Sequence, residues 1–238
     1  MDDAGAVDLE AYVELARRIV AERFPAARAA VLAGSTAAGI ANEHSDLDVV
    51  VVLDAEPAPF RETLRVDGRP VELFVHTTAS LEHWYERERD RSGTLGHMVA
   101  LGIPLLGDLT DGLQAEARAY VDAGPAPWTP EQLERGRYLV TDALDDLAGA
   151  RDDDERDAVA GHLLVLAADL HLAAHRRWQG TGKWLVRRLR ESDPVLAEKL
   201  LGGHRAVVAT GATGTFVAAI DQVLAPLGGR LTEGYSAR

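Results

Sequence analysis

The chain has 238 residues, nearly half of them hydrophobic, and carries 38 acidic against 25 basic side chains for a formal net charge of −13. That content excludes intrinsic disorder and allows one large domain or two small ones. The absence of cysteine excludes disulfides, thiolate nucleophiles and zinc–thiolate sites. The negative field disfavours nucleic acid as the main ligand.

The opening MDDAGAVDLEAY lacks a basic region followed by an apolar one, so it does not read as a signal peptide. No uncharged apolar run approaches membrane-spanning length. A cytoplasmic protein with no membrane partner is expected. Leu9, Val13, Ala16, Ile19, Val20 and Phe24 recur at three- and four-residue steps, which predicts an amphipathic helix over 8–24. Residues 29–33 read as a short buried strand, and the valine-rich stretch 46–53 as a stronger one. Residues 62–66 and 69–77 flank Asp67-Gly68, a pair suited to two positive-φ turn positions, and so predict a hairpin. A helix is expected over 80–100 with a break near Ser92-Gly93, then a short strand at 103–106 and a helix over 110–122.

The proline-rich AGPAPWTPEQ then marks a linker or corner, with Thr129-Pro130 suited to a helix start. Beyond it helices are predicted over 130–148, 156–178, 183–202 and 213–225. The acidic RDDDERD at 151–157 reads as a solvated loop between helices. A mixed α/β half is thus followed by a helical half.

The chemistry concentrates in VLAGSTAAGIANEHSDLDVVVVLD, residues 31–54. Side chains at i and i+2 of a strand share a face, so Asp46 and Asp48 project together. Carboxylates that close repel unless a cation lies between them, and oxygen-only ligands suit Mg²⁺. Gly34-Ser35 ends the preceding strand, where glycine allows backbone to approach a phosphate and serine can donate to it. These parts describe a site for a metal–nucleoside triphosphate. Two competing motifs fail. Thr36 stands where a dinucleotide-binding fingerprint starting at Gly34 needs glycine, and Trp184 stands where a phosphate loop ending in GTGK needs Ser or Thr.

Gly34-Ser35, ten residues, then Asp46-Leu47-Asp48 in a hydrophobic strand resembles the motif of the DNA polymerase β-like nucleotidyltransferase superfamily. That resemblance implies a third carboxylate on a later apolar strand, and RPVELFVH supplies Glu72 between Val71 and Leu73. It implies catalytic and metal-binding roles for Asp46, Asp48 and Glu72, two Mg²⁺ ions, and ATP as co-substrate. The layout is similar to the small bacterial aminoglycoside and lincosamide nucleotidyltransferases. It implies an α+β protein: a mixed-sheet nucleotidyltransferase domain over 1–123 followed by an all-α helical bundle, the substrate-binding domain, over 124–238.

In such enzymes a helical-domain lysine or arginine reaches the triphosphate. That role carries to Lys183, with Arg187 one turn on as second choice; a basic helix face balancing an acidic protein is the alternative. Asp169 interrupts an almost entirely apolar helix, where a lone charge is costly. The resemblance implies an acceptor-holding or acceptor-deprotonating role for it, against a buried ion pair with Arg187, Arg188 or Arg190. His162, His171 and His175 show no partner pattern and read as structural. The expected reaction moves AMP from ATP to a hydroxyl of a small molecule, such as an aminoglycoside, bound in a cleft between the halves of a monomer or homodimer. That acceptor would make the protein an antibiotic-resistance enzyme. The alternatives are an antitoxin-type enzyme that AMPylates a protein, and a module that binds nucleotide without turnover.

Overall fold

The computed structural model describes residues 8–55 and 57–236. Contacts divide the chain into two compact units: one runs to Arg89 and includes Gly93–Ala123, the other takes Asp90–Ser92 and Gly124 onward.

The first unit is a five-stranded mixed sheet with helices on both faces. Helix α1 (Leu9–Arg23) starts where the Asp8 side chain accepts from the Ala11 N–H. Strands β1 (Ala29–Ala33), β2 (Leu47–Val52), β3 (Phe60–Val66), β4 (Arg69–His76) and β5 (Ile103–Leu106) lie in the order β3-β4-β2-β1-β5. Only β2 and β4 run parallel. The predicted hairpin forms between β3 and β4, with Asp67 at φ 52° and Gly68 at φ 79°. This two-residue turn pairs Val66 with Arg69 and so fixes every pair behind it, Thr63 with Glu72 included.

Alternation along the strands supplies two cores. Leu47, Val49, Val51, Val71, Leu73 and Val75 pack with Ala16, Ile19 and Val20 of α1. Val31, Val50 and Val52 face the other way, against Leu81 of α3 (Thr78–Glu88), Leu95 and Val99 of α4 (Thr94–Leu101), and Ala117 of α5 (Thr110–Ala123). A Thr77–Ser80 capping box starts α3, and the chain breaks at Gly93 as its composition predicted. A single helical turn, α2 (Gly34–Ala37), stands where the sequence suggested only a strand end.

The second unit is helical: α6 (Pro130–Gly149), α7 (Asp153–Ala174), α8 (Lys183–Ser192), α9 (Pro194–Thr210) and α10 (Gly214–Leu224). Leu144, Leu163, Ala167, Leu189, Leu200, Phe216 and Ile220 are among the buried residues of its core. Helix α7 is long and apolar enough to cross a membrane, yet Ala160, Leu163, Ala167 and Leu170 are buried in this core. Two expectations need correction. The helix predicted over 183–202 is two helices, because Pro194 cannot continue α8 and Asp193 caps α9 through the Leu196 N–H. The acidic stretch 151–157 is not a loop throughout. Asp152 caps α7, and Asp153, Asp154 and Glu155 fill its first turn, where the helix dipole favours negative charge.

Candidate active site

Two adjacent strands, β2 and β4, bring the sequence-predicted carboxylates together, with the end of β1 alongside. Asp48 of β2 stands beside Ala33 at the end of β1 and beside Glu72 on β4. It shares the strand face of Val50 and Val52, while Leu47 and Val49 are buried on the face of α1. Asp46 precedes the strand by one residue. Oxygens of Asp46, Asp48 and Glu72 all lie within 4.8 Å of one another, and each residue is half-buried. At that separation two carboxylates repel by about 3–4 kcal/mol for an effective dielectric near 20. A divalent cation removes the repulsion. Two oxygens on one octahedral Mg²⁺ lie roughly 3–4 Å apart, so the cluster fits a hard ion with small adjustment.

The turn that holds Asp46 is locally specified. The Asn42 N–H donates to Ser45 Oγ at 2.9 Å, the His44 N–H donates to Asn42 Oδ1 at 3.0 Å, and Arg69 Nη1 donates to the Ser45 carbonyl at 3.2 Å. Gly34 is required for two reasons. Its φ is +68°, and a Cβ there would lie 1.8 Å from Asp48 Oδ2. Ser35 follows, only 4% exposed, with its buried Oγ making no hydrogen bond among the described residues. A buried hydroxyl with no protein partner, one residue after the glycine that Asp48 crowds, is a candidate to bond a ligand.

Arg61 belongs to this site and was missed in the sequence. Its Nη2 donates to Glu72 Oε2 at 2.5 Å, and its guanidinium lies 4.8 Å from the Phe74 ring centroid. The signal was the Asp-Gly turn: counting back from it sets Thr63 opposite Glu72 and Arg61 diagonally across, within a long side chain's reach.

Lys183, Arg187 and Asp169 lie in the helical unit. Lys183 opens α8 and is exposed. Arg187 is half-buried and stacks on Trp184 at 4.7 Å, with Nη1 buried and without a hydrogen bond among the described residues. Asp169 on α7 has a buried Oδ1 in the same condition. Burial pushes its carboxyl up to about 6, against the opposing pull of Arg91. Among the described residues Asp169 forms no ion pair: Arg188 bonds Glu191 at 2.9 Å, Arg190 bonds Glu198 at 3.0 Å, and Arg187 stacks on Trp184. Arg91 was not foreseen, since nothing in its local sequence points to α7. His171 packs at a tilt against His175, ring centroids 4.3 Å apart, and its Nε2 lies 3.3 Å from Ser192 Oγ, its pKa lowered first by burial and then by His175.

Residues 13–90 match the family model described as a nucleotidyltransferase domain. No curated protein matches the chain. Among solved structures the chain is similar to a nucleotidyltransferase-like protein from Exiguobacterium sibiricum, at 13% identity and a TM-score of 0.45, over 90% of this chain and 74% of that one. The matched segment contains Gly34, Ser35, Asp46, Asp48 and Glu72. The chain thus carries a nucleotidyltransferase domain, a transferase module, with the carboxylate cluster inside it.

Proposed function

We propose that the protein is a Mg²⁺-dependent nucleotidyltransferase that moves AMP from ATP to a hydroxyl of a small molecule. The observation that carries this reading is the cluster of Asp46, Asp48 and Glu72 beside Gly34 and the unpartnered Ser35 hydroxyl. Bound by the three carboxylates, two Mg²⁺ ions would offset phosphate charge and lower the barrier to attack and departure. Gly34 leaves room beside Asp48, and Ser35 donates its O–H to a triphosphate oxygen. The acceptor oxygen attacks the α-phosphorus, and a new P–O bond forms as the α–β bridge breaks. Pyrophosphate leaves with the bridging electrons.

The acceptor proton passes to a carboxylate base, for which Asp169 is the candidate; its raised pKa suits a group that takes a proton near neutral pH. Lys183 and Arg187 are the proposed cationic partners of the triphosphate. Aminoglycosides are the acceptor class suggested by the resemblance and the net charge of −13, which also disfavours nucleic acid. The need for ATP suits a cytoplasmic enzyme. Incubation with ATP, Mg²⁺ and an acceptor panel, read by mass, tests the reading: one AMP should be added to a small molecule. AMP found on a protein instead would favour the AMPylating alternative.

A further inference from the structure

Beyond the carboxylates, the same sheet face continues along β4 through Phe74 to His76, two and four residues past Glu72. There it forms one wall of a cavity of about 350 Å³, lined among others by Phe60, Arg61, Phe74, Trp84, Leu95 and Met98. All of them belong to the first unit. The volume lies within the usual range for small-ligand sites. Arg61 joins cavity and cluster, with one guanidinium on Glu72 at 2.5 Å and over Phe74 at 4.8 Å.

The polar groups at this cavity are largely committed, apart from the outer N–H groups of Arg61, whose side chain is 60% exposed. Arg61 is paired with Glu72, and Glu88 accepts from the Leu95 N–H at 2.9 Å. His76 is 6% exposed, shares a hydrogen bond with Ser80 Oγ, and is kept neutral at pH 7 by burial, which lowers its pKa to about 4. What is left for a ligand is mainly aromatic and apolar surface, with the Arg61 guanidinium at its edge. Position relative to the reaction decides which ligand. Gly34 and Ser35 lie on the β1 side of Asp48, and Glu72 and the cavity on the β4 side. Attacking and leaving oxygens are roughly in line, so a pyrophosphate leaving toward Gly34-Ser35 requires an acceptor approaching from the side of Glu72.

We infer that this cavity is the acceptor site, and that it takes a flat, uncharged ring carrying the hydroxyl that receives the nucleotide. The inference rests on the nucleotidyltransferase reading but departs from it on the acceptor: aminoglycoside rings are puckered and carry ammonium groups, so they are not the ring this cavity takes.

Met98 lines the cavity, so its ¹³C-methyl resonance, assigned by its loss in Met98→Leu, reports from inside it. The test titrates 2-naphthylmethanol, a neutral aromatic alcohol, into the full chain with Mg²⁺ and α,β-methylene-ATP. The Met98 methyl should move saturably upfield, and spermine, a polycation without a ring, should leave it in place. A Met98 signal that ignores the alcohol overturns the inference. So does one that moves equally with spermine, or one that moves with the nucleotide analogue alone, which would make the cavity a nucleobase site. Nucleotide binding is followed in parallel by calorimetry, with Asp48→Asn as control. Its absence in the unaltered chain overturns the transferase reading, while the Met98 response still reports on the ring site by itself.

Discussion

Replacing Gly34 with alanine places a methyl group 1.8 Å from Asp48 Oδ2 and 2.8 Å from its Cγ, at a backbone φ of +68°. Gly39 supplies a matched control, with the same φ of +68° and nothing within 4 Å of its added Cβ. Gly39→Ala should therefore cost only the left-handed backbone term, about 1 kcal/mol, or a fall of roughly 2–4 °C in Tm for a chain of this size. Gly34→Ala bears that cost plus overpacking of about 1–3 kcal/mol, because Asp48 must move. Its Tm should fall by roughly 4–15 °C. Moving Asp48 also spoils the cluster, so Mn²⁺ affinity, followed by electron paramagnetic resonance, should drop at least tenfold in Gly34→Ala and stay unchanged in Gly39→Ala. In an Asp48→Ala background Oδ2 and Cγ are gone and only the Cβ contact at 3.2 Å persists, so the penalty at Gly34 should shrink toward that at Gly39. Equal losses in Gly34→Ala and Gly39→Ala, with Mn²⁺ affinity intact in both, would refute the argument.

Asp46→Asn and Asp48→Asn should each lower transfer by about 10³-fold or more, the loss of several kcal/mol of charge stabilisation, while thermal melts without metal stay level or rise as carboxylate repulsion falls. Ser35→Ala removes a buried hydroxyl that has no partner among the described residues, so stability should be unchanged or higher while ATP binding, read by calorimetry, weakens by about 1–3 kcal/mol. The folded pKa of Asp169, about 6, exceeds the ordinary 3.8, so folding disfavours its charged form. That cost is absent below about pH 4 and complete above about pH 6, reaching at most about 3 kcal/mol. Asp169→Asn should raise Tm at pH 8 but not at pH 4, and should slow turnover by about 10²–10⁴-fold if the residue is the acceptor base. Lys183→Ala should raise the KM for ATP and leave that for the acceptor nearly unchanged; unchanged ATP kinetics would make Lys183 part of a solvated face.

Much of the site could be read from spacing. Strand alternation set Asp46 and Asp48 on one side, the Asp67-Gly68 turn fixed the hairpin register that sets Thr63 opposite Glu72, and the parallel pairing of β2 with β4 carries Glu72 to Asp48. The same register contained Arg61, but a diagonal partner is found only by counting pairs back from the turn. The break at Asp193-Pro194 and the Asp152 cap were written in local chemistry, and there helical periodicity outweighed the stop and start signals. Other features were beyond local reading. The cavity draws on two strands and two helices, and Asp169 meets Arg91 from a distant segment; both depend on packing, which periodicity does not encode. Ser35 was chosen for its place after a glycine, but its burial without a partner appears only once α2 turns it inward.

The most direct measurement is the fate of labelled phosphate in a single reaction with ATP, Mg²⁺ and an acceptor panel. Phosphate labelled at the α position should appear on the acceptor, γ label should appear in pyrophosphate in equal amount, and both should vanish in Asp48→Asn. Transfer of γ label to the acceptor, release of γ label as inorganic phosphate alone, or full α-label transfer by Asp48→Asn would contradict a nucleotidyltransferase built on Asp46, Asp48 and Glu72.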